Sequence, residues 1–146
     1  MKAPTIYLYF SGNCEEAFDF YQEIFGAEMT VRSRYKDMPP NPDLPPIEEE
    51  HKELVMHSTL SIGDGSIIQG ADLAKGWGPP FNAGNNFAVS LSLESRGQAD
   101  DIHAALSEGG RVTMEMQKTF WGSYFGSCVD QFGVTWMIAF GADADE

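Results

Sequence analysis

The alternation of apolar residues near the C-terminal end of the chain predicts a β-hairpin. Trp121–Val129 and Val134–Phe140 form its two strands, and residues 130–133, with the sequence DQFG, form the turn. Asp opens such turns by bonding to nearby backbone, and Gly adopts the positive φ that closes them. The second strand is apolar on both faces, so we expect it to be covered on both sides.

The same order of elements, β-α-β-β-β, is predicted twice. In the first half the strands are Thr5–Phe10, Glu28–Tyr35, Leu54–Ile62 and Ser66–Gly70. In the second half they are Asn86–Glu94, Arg111–Met116 and the two strands of the hairpin. An internal repeat on this scale constrains the fold more than a single motif does. We therefore predict an α+β protein that forms a single domain over residues 1–146 and is made of two βαβββ modules, residues 1–72 and 85–140.

A helix is predicted in each module from its capping residues and its apolar spacing. Asn13, with Glu16 three residues later, is typical of a capping box, and Gly26 ends that helix. Ser95 and Gln98 stand in the same relation at the start of the second helix. Asp72, at the end of the first module, could orient a polar group or cap a turn.

Residues 36–53 interrupt the first module. They contain five prolines and the run EEE at positions 48–50. Proline removes a backbone donor, and adjacent like charges repel, so neither favours a regular element. We interpret the segment as an exposed, mobile loop inserted into the first module, and its glutamates as solvated side chains and not paired catalytic carboxylates.

Composition and charge exclude several partners. The net charge is −13 and no basic run offsets it, which argues against nucleic acid or an anionic membrane as a partner. No apolar run approaches membrane-spanning length, and the first ten residues lack the apolar core of a signal peptide. Two cysteines do not make a disulfide framework, and neither has an activating neighbour in sequence. We expect a cytoplasmic protein.

His57 is the polar residue with the widest chemical range. Strand alternation places it with Thr59, on the face opposite Met56 and Leu60. There it could act as an acid, a base, a hydrogen-bonding group or a metal ligand. The alternative is a structural histidine satisfied within the wall of the fold. We expect the other two histidines, His51 and His103, to be exposed.

Several aromatic residues are candidates for contact with a flat or apolar ligand. They are Tyr7, Tyr9, Trp121, Tyr124 and Trp136. A core uses the same residue types, and the sequence leaves both roles open.

Three segments resemble a known family: NCEEAFDFYQEIFGAE, VMHSTLSIGDGSIIQGAD and QKTFWGSYFGSCVDQFGVTWMI. They are similar to the PhnB-like branch of the vicinal oxygen chelate superfamily, which includes glyoxalase I, extradiol dioxygenases, fosfomycin-resistance thiol transferases and bleomycin-resistance proteins. The resemblance implies two βαβββ modules that form an incomplete eight-stranded barrel with a concave binding face. It also implies a homodimer.

The metal site of the superfamily has no clear counterpart. Metal-binding members carry His or Glu on the first and last strands of each module. The matching segments here are mostly apolar; Gln69 offers a weak ligand oxygen, and Met137 stands where glyoxalase-like members have Glu. Branch members are often labelled demethylubiquinone methyltransferases, but the GDG motif lies in a hairpin and not in a cofactor-binding strand-to-helix turn.

The resemblance and the residues together predict a binder of a small molecule, with no metal and no cofactor. The predicted ligand-binding residues are His57, Tyr7, Tyr9, Gln69, Trp121 and Trp136. The alternative is an enzyme acting on a small substrate, either metal-dependent (a lyase, dioxygenase or thiol transferase) or with His57 as its base.

Overall fold

The computed structural model describes residues 1–141. The chain divides into two compact units, the first spanning Met1–Asn82 and the second beginning at Ala83. Each unit contains one four-stranded sheet and one long helix, in the order β-α-β-β-β. The predicted α+β class with two βαβββ modules is therefore confirmed.

Unit 1 has a mixed sheet. Its strands are β1 (Ile6–Phe10), β2 (Glu28–Arg34), β3 (Val55–Gly63) and β4 (Ser66–Asp72). Its helix is α1 (Cys14–Phe25). The strand order is β1-β4-β3-β2, in which β1 and β4 are parallel and the other neighbours are antiparallel. The inserted loop connects β2 to β3 and begins and ends with short 3-10 helices at Tyr35–Asp37 and Glu49–His51.

Unit 2 repeats this topology. Its elements are β5 (Val89–Ser92), α2 (Arg96–Ser107), β6 (Arg111–Lys118), β7 (Tyr124–Val129) and β8 (Thr135–Phe140). The order is β5-β8-β7-β6, with β5 and β8 parallel. Strand β7 begins at Tyr124 and not at Trp121, because the Gly122 N–H bonds to the Thr119 carbonyl in a turn.

The core of unit 1 lies between α1 and one face of the sheet. Phe10 of β1 packs edge-on against Phe18 of α1, with ring centroids 6.0 Å apart. Gly70 makes this close approach possible, since a Cβ there would lie 2.7 Å from the Phe18 ring and 2.8 Å from the Leu8 carbonyl oxygen. The opposite face of the sheet carries no helix of this unit.

The core of unit 2 is centred on Trp136, which is fully buried together with Ile138. The indole Nε1 donates to Asp130 Oδ2 at 2.8 Å. The other carboxylate oxygen of Asp130 accepts the backbone N–H groups of Phe132 and Val134. The buried carboxylate therefore fixes the hairpin turn and orients the central side chain of the core.

The two helices begin in different ways. The Ser95 hydroxyl accepts the Gln98 N–H, as predicted. Gln98 Oε1 accepts the N–H of Glu94, one residue before the partner that a capping box predicts. The predicted capping box at Asn13 is wrong, because the Asn13 side chain makes no capping bond. The Cys14 N–H donates instead to Asp72 Oδ1, at the end of β4.

His103 is also placed differently from the prediction. It is 6% exposed, and its Nε2 lies 3.2 Å from the Met114 carbonyl oxygen and 3.1 Å from that of Ser127. Both partners are acceptors, so Nε2 carries the proton. The residue is a structural link from α2 to β6 and β7.

Both α-helices have 12 residues. Within residues 1–141, neither they nor the shorter helical turns are long and apolar enough to span a bilayer.

Candidate functional site

The helix-free face of the unit 1 sheet, hereafter the open face, collects most of the predicted site residues. Paired residues on neighbouring strands point to the same side of a sheet. Tyr7 pairs with Gln69, and Gln69 with Thr59. His57 pairs with Ser33 of the adjacent strand. Leu8, Phe10, Leu60 and Ile68 lie on the helix side and are buried.

A chain of hydrogen bonds crosses the open face from β1 to β3. The Tyr7 hydroxyl lies 3.0 Å from His57 Nδ1, and the Thr59 hydroxyl lies 3.1 Å from His57 Nε2. A neutral imidazole donates through one nitrogen and accepts through the other. One of the two hydroxyls therefore accepts from the ring and keeps its own hydrogen for another acceptor.

Tyr7 is the accessible end of this chain. Tyr7 is 38% exposed, whereas Thr59 is buried. Partial burial, with a smaller contribution from Tyr9, raises the pKa of the Tyr7 phenol above its usual value. The hydroxyl is therefore protonated at neutral pH and can donate a hydrogen bond to a ligand.

Aromatic surface surrounds the polar chain. The Tyr7 and Tyr9 rings lie 5.3 Å apart, and the Tyr7 and His57 rings are stacked at 5.7 Å. Tyr9 is 54% exposed. Gln69 pairs with Tyr7 on one side and with Thr59 on the other. Its Oε1 accepts the Thr5 hydroxyl at 3.2 Å, and its amide group supplies two N–H donors.

The two predicted tryptophans are not part of this face. Trp136 is a core residue of unit 2, so we leave it out of the candidate site. Trp121 lies in the turn before β7, 48% exposed, with its ring edge-on to Phe120 and Phe125. The sequence reasoning missed the direct contact between Tyr7 and His57, since it depends on β4 lying between β1 and β3.

Neither cysteine can serve as a nucleophile in this fold. Both thiols are fully buried. Burial raises the pKa of Cys14, with a further contribution from Asp72, and burial also raises the pKa of Cys128. The reactive thiolate is thus disfavoured at both positions.

We predict that a thiol reagent at neutral pH will label neither Cys14 nor Cys128 in the folded protein and will label both in denaturant. The reason is that the reagent reacts with an exposed thiolate, whereas both thiols are buried and their pKa values are raised. Mass spectrometry of protein treated with iodoacetamide measures the result. Rapid stoichiometric labelling of either residue without unfolding would contradict it.

Metal-ligating side chains gather elsewhere. Within residues 1–141, Glu48, Glu50 and His51 form a group whose ligand atoms lie within 4.8 Å of one another. The group belongs to the inserted loop and not to the open face. The side chains that bond to His57 are hydroxyls, and its registered neighbour on β2 is Ser33, which adds another hydroxyl.

The model of the Glyoxalase/Bleomycin resistance protein/Dioxygenase superfamily matches residues 5–138. The chain belongs to this superfamily. Among its relatives, Protein YjdN of Escherichia coli (strain K12) is 27% identical in an alignment 137 residues long that covers 90% of each chain.

Solved structures of the superfamily fold support the same assignment. Protein PA1353 from Pseudomonas aeruginosa is 31% identical, with a TM-score of 0.82 over 96% of this chain and 98% of that one. A putative 3-demethylubiquinone-9 3-methyltransferase, the PhnB protein of Bacillus cereus, is 23% identical, with a TM-score of 0.74 over 96% of this chain and 100% of that one. The predicted family is confirmed, and a PhnB protein is among its structural neighbours.

The first and last strands of each unit are the positions at which the family resemblance implies metal ligands. In unit 1 the paired open-face residues on these strands are Tyr7 with Gln69 and Tyr9 with Ala71. In unit 2 the pairs on the face opposite the buried Trp136 and Ile138 are Ser90 with Met137 and Ser92 with Ala139, and Met137 is 36% exposed. In unit 1 these residues offer phenols and an amide, and in unit 2 they offer hydroxyls and a thioether. Within each unit this is a poor donor set for a divalent cation.

Proposed function

We propose that this superfamily member binds a small molecule on the open face of unit 1 through hydrogen bonds and ring contacts, without a divalent metal. The observation that carries the proposal is the Tyr7–His57–Thr59 chain beside the exposed Tyr9 ring. We further propose that the protein works as a cytoplasmic homodimer, as the family resemblance implies.

The hydrogen-bond donors and the aromatic rings of the open face indicate which class of ligand it can bind. Tyr7 can offer a hydroxyl hydrogen when His57 donates to its oxygen, and Gln69 adds amide donors. The tyrosine rings provide flat apolar surface next to these donors. A flat, ring-containing molecule with one or two hydrogen-bond acceptors fits this combination.

The bonding of His57 argues against a role as metal ligand or as general base. A metal ligand uses a ring nitrogen that is free of other partners, whereas both nitrogens of His57 bond to side chains of the same sheet. A base would also need to release one of these partners to reach a substrate. The arrangement favours a ring held in place by two hydrogen bonds, which orients the Tyr7 hydroxyl.

We predict that Tyr7→Phe and His57→Ala each weaken ligand binding about tenfold, the effect of losing one hydrogen bond worth about 1.4 kcal/mol. The probes are single-ring acceptors such as acetophenone and benzamide, titrated into isotope-labelled protein while backbone amide shifts are recorded by NMR. The shifts should concentrate in β1, β3 and β4.

Tyr124→Phe is the matched control, because its hydroxyl bonds to Asp100 in unit 2 and not to the open face. It should leave the affinities unchanged. Binding that is equally tight in all three variants, or that disappears when a chelator is added, would refute the proposal.

A further inference from the structure

The inserted loop does not lie flat on the surface but encloses a pocket of about 420 Å³, hereafter the proline pocket. Its wall consists of the five prolines of the loop together with Met38, Leu44 and Ile47. Tyr35, Trp77 and the polar Asn41 complete the lining. The volume falls in the range of about 300–1,000 Å³ that small-molecule pockets occupy.

The aromatic side of the proline pocket is held in place by the fold. The Tyr35 hydroxyl donates to the Asp72 carbonyl oxygen at 2.8 Å. The Trp77 ring packs edge-on against Tyr35, with ring centroids 5.8 Å apart. The backbone N–H of Trp77 donates to the Ala74 carbonyl oxygen. These contacts fix the rings before any ligand arrives.

Its prolines and the hydrogen bonds at its two ends restrict the conformations of the loop side of the pocket. Each proline has a restricted φ, which limits the conformations of the wall. The Tyr35 N–H bonds to the Leu54 carbonyl, and the Lys36 N–H to the Lys52 carbonyl, which closes the base of the loop. A preorganised pocket loses little conformational entropy when it binds a ligand.

The loop that forms the proline pocket carries a net negative charge. Residues 36–53 contain six carboxylates and two lysines, a net charge of −4 with His51 neutral. Both lysines are paired, Lys36 with Glu53 and Lys52 with Glu49, each at 2.7 Å. Asp43 and Glu48 are exposed and directly adjoin the lining residues Leu44 and Ile47.

We propose that the proline pocket binds a small organic cation with an apolar body, such as a quaternary ammonium on an aromatic or branched alkyl skeleton. Apolar walls accept the hydrocarbon, the Trp77 ring attracts the cation through its π-system, and the acidic loop adds long-range attraction. The same charge disfavours anions. The site is separate from the open face and does not depend on the function proposed there.

The test compares two probes of the same shape, para-trimethylammoniophenol and para-tert-butylphenol. Binding is followed by NMR through the assigned indole N–H of Trp77. We expect the cation to bind about fivefold more tightly than the neutral probe, and we expect this preference to shrink in high salt. Equal or tighter binding of the neutral probe, or no shift of the Trp77 indole, would overturn the proposal.

Two sets of variants assign the binding to this pocket. Trp77→Leu should abolish the preference for the cation, whereas Trp121→Leu, in unit 2, should leave it unchanged. The double change of Asp43→Asn and Glu48→Gln alters two exposed side chains, and it should reduce the affinity for the cation without changing that for the neutral probe. If this double variant binds both probes as the unaltered protein does, the electrostatic part of the proposal is wrong.

Discussion

Replacement of Asp72 by alanine is expected to reduce the free energy of unfolding by about 3 kcal/mol or more. Asp72 is 2% exposed. One carboxylate oxygen accepts the N–H groups of Gly12 and Cys14, and the other accepts that of Val55, all at 2.9 Å. Alanine would leave three backbone donors, in or next to the core, without this acceptor, and each such loss is costly.

Urea denaturation followed by circular dichroism measures this loss. Asp101→Ala, at an exposed position on α2, is the control and should change stability by no more than about 0.5 kcal/mol. Asp72→Asn should fall between the two, because the amide retains one acceptor oxygen but directs an N–H2 group toward one of the donors. A loss below about 1 kcal/mol for the alanine variant would contradict the role we assign to this carboxylate.

The second large effect is expected for Gly110→Ala in unit 2. A Cβ at this position would lie 2.1 Å from the Val129 carbonyl oxygen and 2.9 Å from the Asp130 Cα. These are backbone atoms of β7 and its turn, and they cannot move without disturbing the hydrogen bonds of the hairpin. We expect a loss of about 3 kcal/mol, or failure of unit 2 to fold.

Gly97→Ala provides the matched comparison. Gly97 lies in the first turn of α2, where a Cβ would meet no atom within 4 Å. Alanine favours the helix over glycine by roughly 0.5–1 kcal/mol, so this variant should be slightly more stable. Guanidinium unfolding distinguishes the two results, and similar midpoints for both variants would show that the close contact at Gly110 is easily relieved.

The elements of the fold could be predicted because their signals are local. Alternation, glycine stops and the GDG turn identified both helices and all eight strands to within a few residues. The start of α1 could not be predicted, since its acceptor Asp72 is 58 residues away in sequence from Cys14. His103 was misjudged because its acidic neighbours suggested solvent, although it continues the buried stripe of Ala99, Ile102 and Leu106.

Part of the candidate site could also be predicted, because strand alternation is a local signal. Alternation placed His57 and Thr59 on one face, and the structure brings them together. It could not resolve Trp136, because β8 is apolar on both faces and the periodicity does not say which of them meets the helix. The contact between Tyr7 and His57 depends on the strand order, which a single strand's pattern does not contain.

The distant capping of α1 has a consequence for synthesis on the ribosome. The chain emerges from its N-terminus, so α1 is made well before β4. Until Asp72 has left the exit tunnel, the first turn of α1 lacks the carboxylate that accepts its leading N–H groups, and β3 lacks the acceptor for Val55. The carboxylate cap of α1 therefore cannot form until residue 72 has emerged.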